Sequence, residues 1–128
     1  METLTSNGIK ISVETSYQAA ESNPAHGQYA HAYQVTIENK SSDTVQLLKR
    51  HWFIMDSNGR KREVKGDGVI GKQPVLGPGE SHQYVSWCPL QTTIGKMYGT
   101  FLMVRKPEDK EFYVRIPEFK LIVPTILN

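Results

Sequence analysis

The glycines between residues 66 and 71 come nearest to a known phosphate-binding pattern. Gly66, Gly68 and Gly71 have the spacing G-x-G-x-x-G. A dinucleotide fingerprint needs a helix directly after the glycines, because the N-terminus of that helix holds the pyrophosphate. Pro74 and the Gly-Pro-Gly run at 77–79 follow instead. No helix can begin there, and a Rossmann site is excluded.

Two interpretations of this glycine segment remain. Consecutive backbone amides can form a nest for an anion, and Lys65 and Lys72 flank the segment. Alternatively, the glycines supply the backbone conformations of a turn between a strand and a loop. We favour the turn, and we keep Gly66, Gly68, Gly71, Lys65 and Lys72 as candidates for an anion site.

Arg50 is the single residue whose position raises the sharpest question. Period-two alternation places it on one strand face with Leu48, Trp52 and Ile54, so its guanidinium should point toward an apolar sheet surface. A charge there must be paired, stacked on an aromatic ring or placed at the rim. Arg50 therefore either pins the segment 66–71 structurally or binds an anion beside it.

The remaining residues that could perform chemistry are scattered along the chain. The four histidines lie in separate segments, and none has the spacing of a metal-binding pair: His26, His31, His51 and His82. The one cysteine, Cys88, has no histidine or basic residue within five positions, so no base is in place to activate it. We expect no catalytic residue, no metal site and no cofactor.

Composition limits the class of protein. The 128 residues, 38% hydrophobic and 22% charged, predict a single domain over 1–128 with an ordered core at about 8–124. A net charge of +2 does not predict nucleic-acid binding, although seven bases stand against three acids between residues 49 and 72. A lone cysteine, no signal-like N-terminus and no long apolar segment predict a cytoplasmic protein that does not insert into a membrane.

The element pattern is that of a β-protein. Val, Ile and Thr number 10, 9 and 9, whereas Ala and Leu number 5 and 8. Alternation predicts strands at 9–14, 29–39, 45–55, 60–65, 81–87, 96–105 and 111–116, with a loop at 89–95 and an interruption of pairing at Pro117. Asn58-Gly59 predicts a hairpin turn, and Trp52 is placed in the core. We expect an all-β, antiparallel two-sheet sandwich of the immunoglobulin or fibronectin-III type.

Several segments of this chain resemble the ApaG family, in order and with the spacing of that family. They lie at 45–52, 64–74, 78–80, 84–86, 95–99 and 116–121. The resemblance runs from residue 8 to the C-terminus. Asp67 and Ile70 stand where Glu and Val are common in the family, and 87–89 fills a stretch that varies among its members.

This resemblance implies a fibronectin-III-like sandwich from a bacterial cytoplasm, associated with cobalt and magnesium resistance or efflux. The gene of the bacterial family is typically a neighbour of a diadenosine tetraphosphatase gene. Similar domains occur in a eukaryotic F-box ubiquitin-ligase receptor and in a polymerase-delta-interacting protein, which implies an interaction module. The family has no established catalytic residues to carry over.

Two functional hypotheses follow. The first is a non-enzymatic binding or regulatory module that acts on cobalt and magnesium homeostasis through a protein partner. The alternative is a phosphate or nucleotide anion-binding protein, or a phosphohydrolase-associated sensor, that uses Gly66–Gly71 with Arg50, Lys65 and Lys72. The sequence leaves the identity of the partner or ligand and the oligomeric state open.

Overall fold

The structure is a computed structural model that describes residues 1–124. These residues form nine strands and two short 3₁₀ helices, Ala19–Glu21 and Pro24–His26. The strands are β1 (Glu2–Ser6), β2 (Ile9–Tyr17), β3 (Tyr29–Asn39), β4 (Val45–Asp56), β5 (Lys61–Asp67), β6 (Val75–Leu76), β7 (Ser81–Leu90), β8 (Ile94–Arg105) and β9 (Lys110–Ile122). Within residues 1–124, no helix is long and apolar enough to cross a membrane.

The strands form two antiparallel sheets. Sheet I has the order β1-β2-β3-β7, and sheet II has the order β5-β4-β8-β9, with β6 beside the start of β4. The sheets meet along one side, where the Asn7 side chain donates to the Tyr113 carbonyl at 2.7 Å and the Arg115 amide donates to Ser6 Oγ at 3.0 Å. On the opposite side, β5 faces β7. The predicted all-β, antiparallel two-sheet sandwich is confirmed, while its closer likeness to fibronectin-III domains stays a prediction.

The core lies between the sheets and is built by the alternating residues of both. Trp52 is 2% exposed, as the sequence predicts for the core tryptophan. Its ring meets those of Tyr33 and Phe119 edge-on, with centroids 5.4 and 5.9 Å apart. Such aromatic pairs stabilise a core beyond their buried area, so this cluster ties sheet I to sheet II.

The strand predictions need three corrections. Strands β1 and β6 are additional to the seven strands that the alternation indicates. Strand β7 continues through Pro89 to Leu90, because an edge strand tolerates a residue without an N–H. Strand β9 likewise continues through Pro117, at a register shift in its pairing with β8.

Candidate functional site

The glycine segment folds as the end of β5 followed by a tight turn. Val69 and Lys72 exchange backbone hydrogen bonds of 2.8 and 3.0 Å around Ile70 and Gly71, both of which have positive φ. The Gly68 amide donates to the Leu48 carbonyl at 2.8 Å. A β-carbon at position 68 would stand 2.2 Å from the carbonyl oxygen of Lys72. Two amides of the segment, those of Gly68 and Val69, and the amide of the flanking Lys72 are therefore used inside the protein. Gly68 is required by close packing.

Arg50 reaches this segment from the neighbouring strand. Its Nη1 donates to the carbonyl oxygens of Asp67 and Gly68, at 3.0 and 3.1 Å. The predicted face is right for Trp52 and Ile54, which are buried. It is wrong for Leu48, because a register shift between Leu47 and Lys49 turns Leu47 into the core instead. The Arg50 side chain thus holds the carbonyls that begin the turn.

The structure brings together three of the six predicted anion-site residues. Arg50, Lys65 and Gly66 line a cleft of about 350 Å³ on sheet II. The rest of its lining comes from residues that sequence reasoning missed: Lys49, His51, Asp67, Thr100, Leu102 and Tyr113. Residues of β8 and β9 enter because they lie opposite β4 and one another in register, and that register is not readable from the local pattern.

The other three predicted residues lie elsewhere. Lys72 lines a separate cavity of about 500 Å³ together with His82. Burial lowers the pKa of His82, and the charge of Lys72 lowers it further. Gly68 is buried, and Gly71 is exposed at the tip of the turn. The six residues therefore do not form one site.

Ion pairs at the cleft rim use part of its positive charge. Glu63 Oε1 lies 2.6 Å from His51 Nε2 and 3.5 Å from Lys65 Nζ. The hydrogen bond from His51 holds the pKa of Glu63 below its ordinary value, and Lys65 adds to that effect. Among the described residues, Lys49 has no carboxylate partner within ion-pair distance. Lys49 is the base of this cleft that remains available to a ligand.

Cys88 has a histidine opposite it in the sheet but is not activated by it. His31 is its register partner on β3. The Cys88 sulfur instead lies 3.8 Å from Arg62 Nη2 and from the Pro89 carbonyl oxygen. Burial raises the pKa of the Cys88 thiol to about 11. Within residues 1–124, no group of three or more His, Cys, Asp or Glu side chains could hold a metal ion.

An apolar surface on sheet I was not predicted from the sequence. Val85 and Trp87 lie two residues apart on β7 and are 51% and 54% exposed. They stand opposite Gln34 and the buried Ala32 of β3, and we call Val85 and Trp87 the β7 surface. The sequence carries a signal for this surface, since apolar residues occupy both faces of the strand. Tyr84 and Cys88 lie on the buried face, which leaves Val85 and Trp87 on the exposed one.

The fold is that of an antiparallel β-sandwich domain with a cleft on sheet II and exposed apolar residues on β7. A model of the ApaG domain matches residues 19–105. The protein ApaG of Brucella abortus (strain S19) is 49% identical over 125 residues, which cover 97% of this chain and 95% of that protein. The protein ApaG of Vibrio vulnificus (strain YJ016) is 46% identical over 120 residues, 94% of each chain. This chain belongs to the ApaG family, as the resemblance predicts.

A solved structure has the same architecture. The crystal structure of a Bordetella pertussis protein, described as ApaA, superposes with a TM-score of 0.88 and 44% sequence identity. The match covers 91% of this chain and 94% of that one. The sandwich is thus shared over nearly the full length of both proteins.

Proposed function

We propose that this protein is a non-enzymatic binding module that acts through a protein partner. The observation that carries the proposal is the β7 surface, where Trp87 and Val85 stand half-exposed side by side on a sheet edge. Tryptophan is enriched among the residues that dominate binding energy at protein interfaces, because it buries a large rigid area. A partner that covers this surface would remove both side chains from water.

The resemblance to the ApaG family extends the proposal to cobalt and magnesium homeostasis. On this view the partner carries or controls the transport of the cation, and the domain regulates that partner. The buried, weakly acidic Cys88 thiol supports a role without covalent catalysis, because the thiolate is the form that attacks a substrate.

Affinity capture from the native bacterium, with and without elevated Co²⁺, tests this function. Three forms of the chain are compared: wild type, Trp87→Ser, and Tyr113→Ser as a control that removes an exposed aromatic ring from the opposite sheet. We expect one protein to be retained by the wild type and by Tyr113→Ser and to be lost from Trp87→Ser. Equal recovery from all three forms, or from none, would count against the proposal.

The second candidate function is anion binding, as a phosphate or nucleotide sensor. It is supported by the cleft on sheet II, where the unpaired Lys49 lies near Lys65 and Arg50. Charge-assisted hydrogen bonds to phosphate are among the stronger polar contacts in proteins. In a titration with pyrophosphate, the amide signals of residues 49, 65 and 100 should shift. The same titration of Lys49→Gln should leave them unshifted. A titration without saturable shifts would remove this candidate.

A further inference from the structure

Strand β7 presents a free edge to solvent. It is the last strand of sheet I, and within residues 1–124 it pairs only with β3. The Asn39 amide donates to the Glu80 carbonyl at 2.9 Å, which sets the alternation of the ladder. The backbone amides and carbonyls of the even-numbered residues of β7 therefore point toward β3. The amides and carbonyls of Gln83, Val85 and Trp87 point away from the sheet.

This edge lacks the charged side chains that protect many edge strands. The ten residues of β7 include no lysine, arginine, aspartate or glutamate. The edge strand β5 of the other sheet has five such residues among seven. Charged side chains on an edge discourage pairing with another chain, and an uncharged, partly apolar edge permits it. The two edges lie on the same side of the sandwich, and β7 is the one suited to pairing.

One edge position of β7 is already occupied by a side chain from β5. Arg62 crosses the open side, and its Nη2 donates to the carbonyl oxygen of Pro89. An added strand would offer a backbone N–H to this carbonyl, so Arg62 holds the position that such a strand would take. If an added strand displaced Arg62 from the Pro89 carbonyl, its guanidinium would be free to pair with a carboxylate on that strand.

The side chains around the edge specify what an added strand should carry. In a strand beside β7, alternate residues would lie next to Val85 and Trp87 on the outer face. The residues between them would point toward the open side, where the guanidinium of Arg62 lies. Apolar residues match the first environment, and acidic residues match the second.

We infer that an extended segment of a protein partner, with apolar and acidic residues in alternation, adds to sheet I as a fifth strand at β7. This inference rests on the proposed function and names the chemistry of its partner. Main-chain hydrogen bonds would supply affinity, and the alternating side chains would supply specificity.

A synthetic peptide tests this geometry on the wild-type chain. The probe is an end-capped peptide of about nine residues that alternates Val and Glu, and its control carries Lys in place of Glu. We expect saturating Val–Glu peptide to slow hydrogen exchange at the amides of Gln83, Val85 and Trp87 by about tenfold or more, and the Val–Lys peptide to leave them unchanged. A Val–Glu peptide that does not bind, or that binds without protecting these amides, overturns the inference.

Capture of the partner separates this inference from the function on which it rests. Val85→Pro removes an edge donor but keeps Trp87, and Val85→Thr keeps the donor as a matched control. Strand addition predicts loss of the partner from Val85→Pro and its retention by Val85→Thr. A partner lost from Trp87→Ser but still held by Val85→Pro would leave the binding module in place and contradict strand addition.

Discussion

The guanidinium of Arg50 lies directly against the backbone of Gly66. A β-carbon at position 66 would stand 2.7 Å from Nη1 of Arg50 and 2.8 Å from its Cζ, closer than packed atoms approach. The two residues are partners in the β4–β5 register. Glycine at 66 leaves the space through which Arg50 reaches the carbonyls of Asp67 and Gly68, so the glycine and the arginine act as one structural unit.

Removal of Arg50 should destabilise the domain. In Arg50→Leu, the Asp67 and Gly68 carbonyls lose a charged donor, and hydrogen bonds of this kind contribute about 1.5–3 kcal/mol. We expect the free energy of unfolding, measured by urea denaturation, to fall by about 2 kcal/mol. Lys49→Leu, on the exposed face of the same strand, is the control and should change it by less than about 0.5 kcal/mol. Equal effects of the two substitutions would contradict the structural role of Arg50.

Replacement of Ile70 should stabilise the domain. Ile70 has a φ of 48° although it is β-branched, and its side chain is 59% exposed. A left-handed conformation costs such a residue about 1–2 kcal/mol, and asparagine tolerates it better. Ile70→Asn should therefore raise the free energy of unfolding by about 1 kcal/mol. Val75→Asn, at an exposed position in β6, is the control and should not raise it. A loss of stability in Ile70→Asn would contradict the left-handed backbone conformation at position 70.

Alkaline pH should destabilise the folded chain through Cys88. Burial raises the pKa of its thiol to about 11, whereas an unfolded cysteine ionises near pH 8.5. The thiol's contribution is complete below about pH 8.5 and is lost as pH rises through 11, by about 1.4 kcal/mol per unit. Burial also raises the pKa of Tyr33 and Tyr84, but their contribution begins to fall only near pH 10, where unfolded tyrosines ionise. The window from about pH 8.5 to 10 therefore isolates the cysteine. Urea denaturation of Cys88→Ala should show a flatter pH dependence there, and identical slopes would contradict the assignment.

Acidic pH should destabilise the folded chain through His31. Its Nε2 is buried without a hydrogen-bond partner among the described residues, and burial lowers its pKa below 6.5. The neutral imidazole's contribution is complete above about pH 6.5, where an unfolded histidine titrates, and is lost as pH falls through the lowered pKa. Burial also lowers the pKa of His82, which contributes to the same decline of stability below pH 6.5. His31→Leu should therefore reduce the decline without abolishing it, and His26→Gln, in an exposed 3₁₀ helix, should leave it in place. An undiminished decline in His31→Leu would contradict the assignment to His31.

Local patterns were sufficient to predict the sandwich and the place of several side chains. Period-two alternation put Trp52 in the core and Arg50 on the inward face of β4. The Asn58-Gly59 pair predicted the hairpin in which Gly59 has a φ of 89°. These features depend on neighbours in sequence, because side-chain direction and turn conformation are properties of a few consecutive residues.

Local patterns could not predict the cleft on sheet II or the β7 surface, because both depend on which strands become neighbours. Tyr113 joins Lys49 at one cleft only through the pairing of β4 with β8 and of β8 with β9. Trp87 lies on the outer face of an edge strand, and the alternation that predicts a strand at 81–87 does not show which strand ends the sheet. The register shift beside Leu48 likewise arises from a partner strand and reverses the face that alternation assigns.

Photo-crosslinking in living cells tests most directly whether the β7 surface binds a protein partner. A photoreactive phenylalanine analogue replaces Trp87 in one form of the protein and Tyr113 in another, since both positions are more than half exposed but lie on opposite sheets. We expect a discrete crosslinked product with another protein from position 87 and none from position 113. No product from position 87, or the same product from both positions, would contradict it.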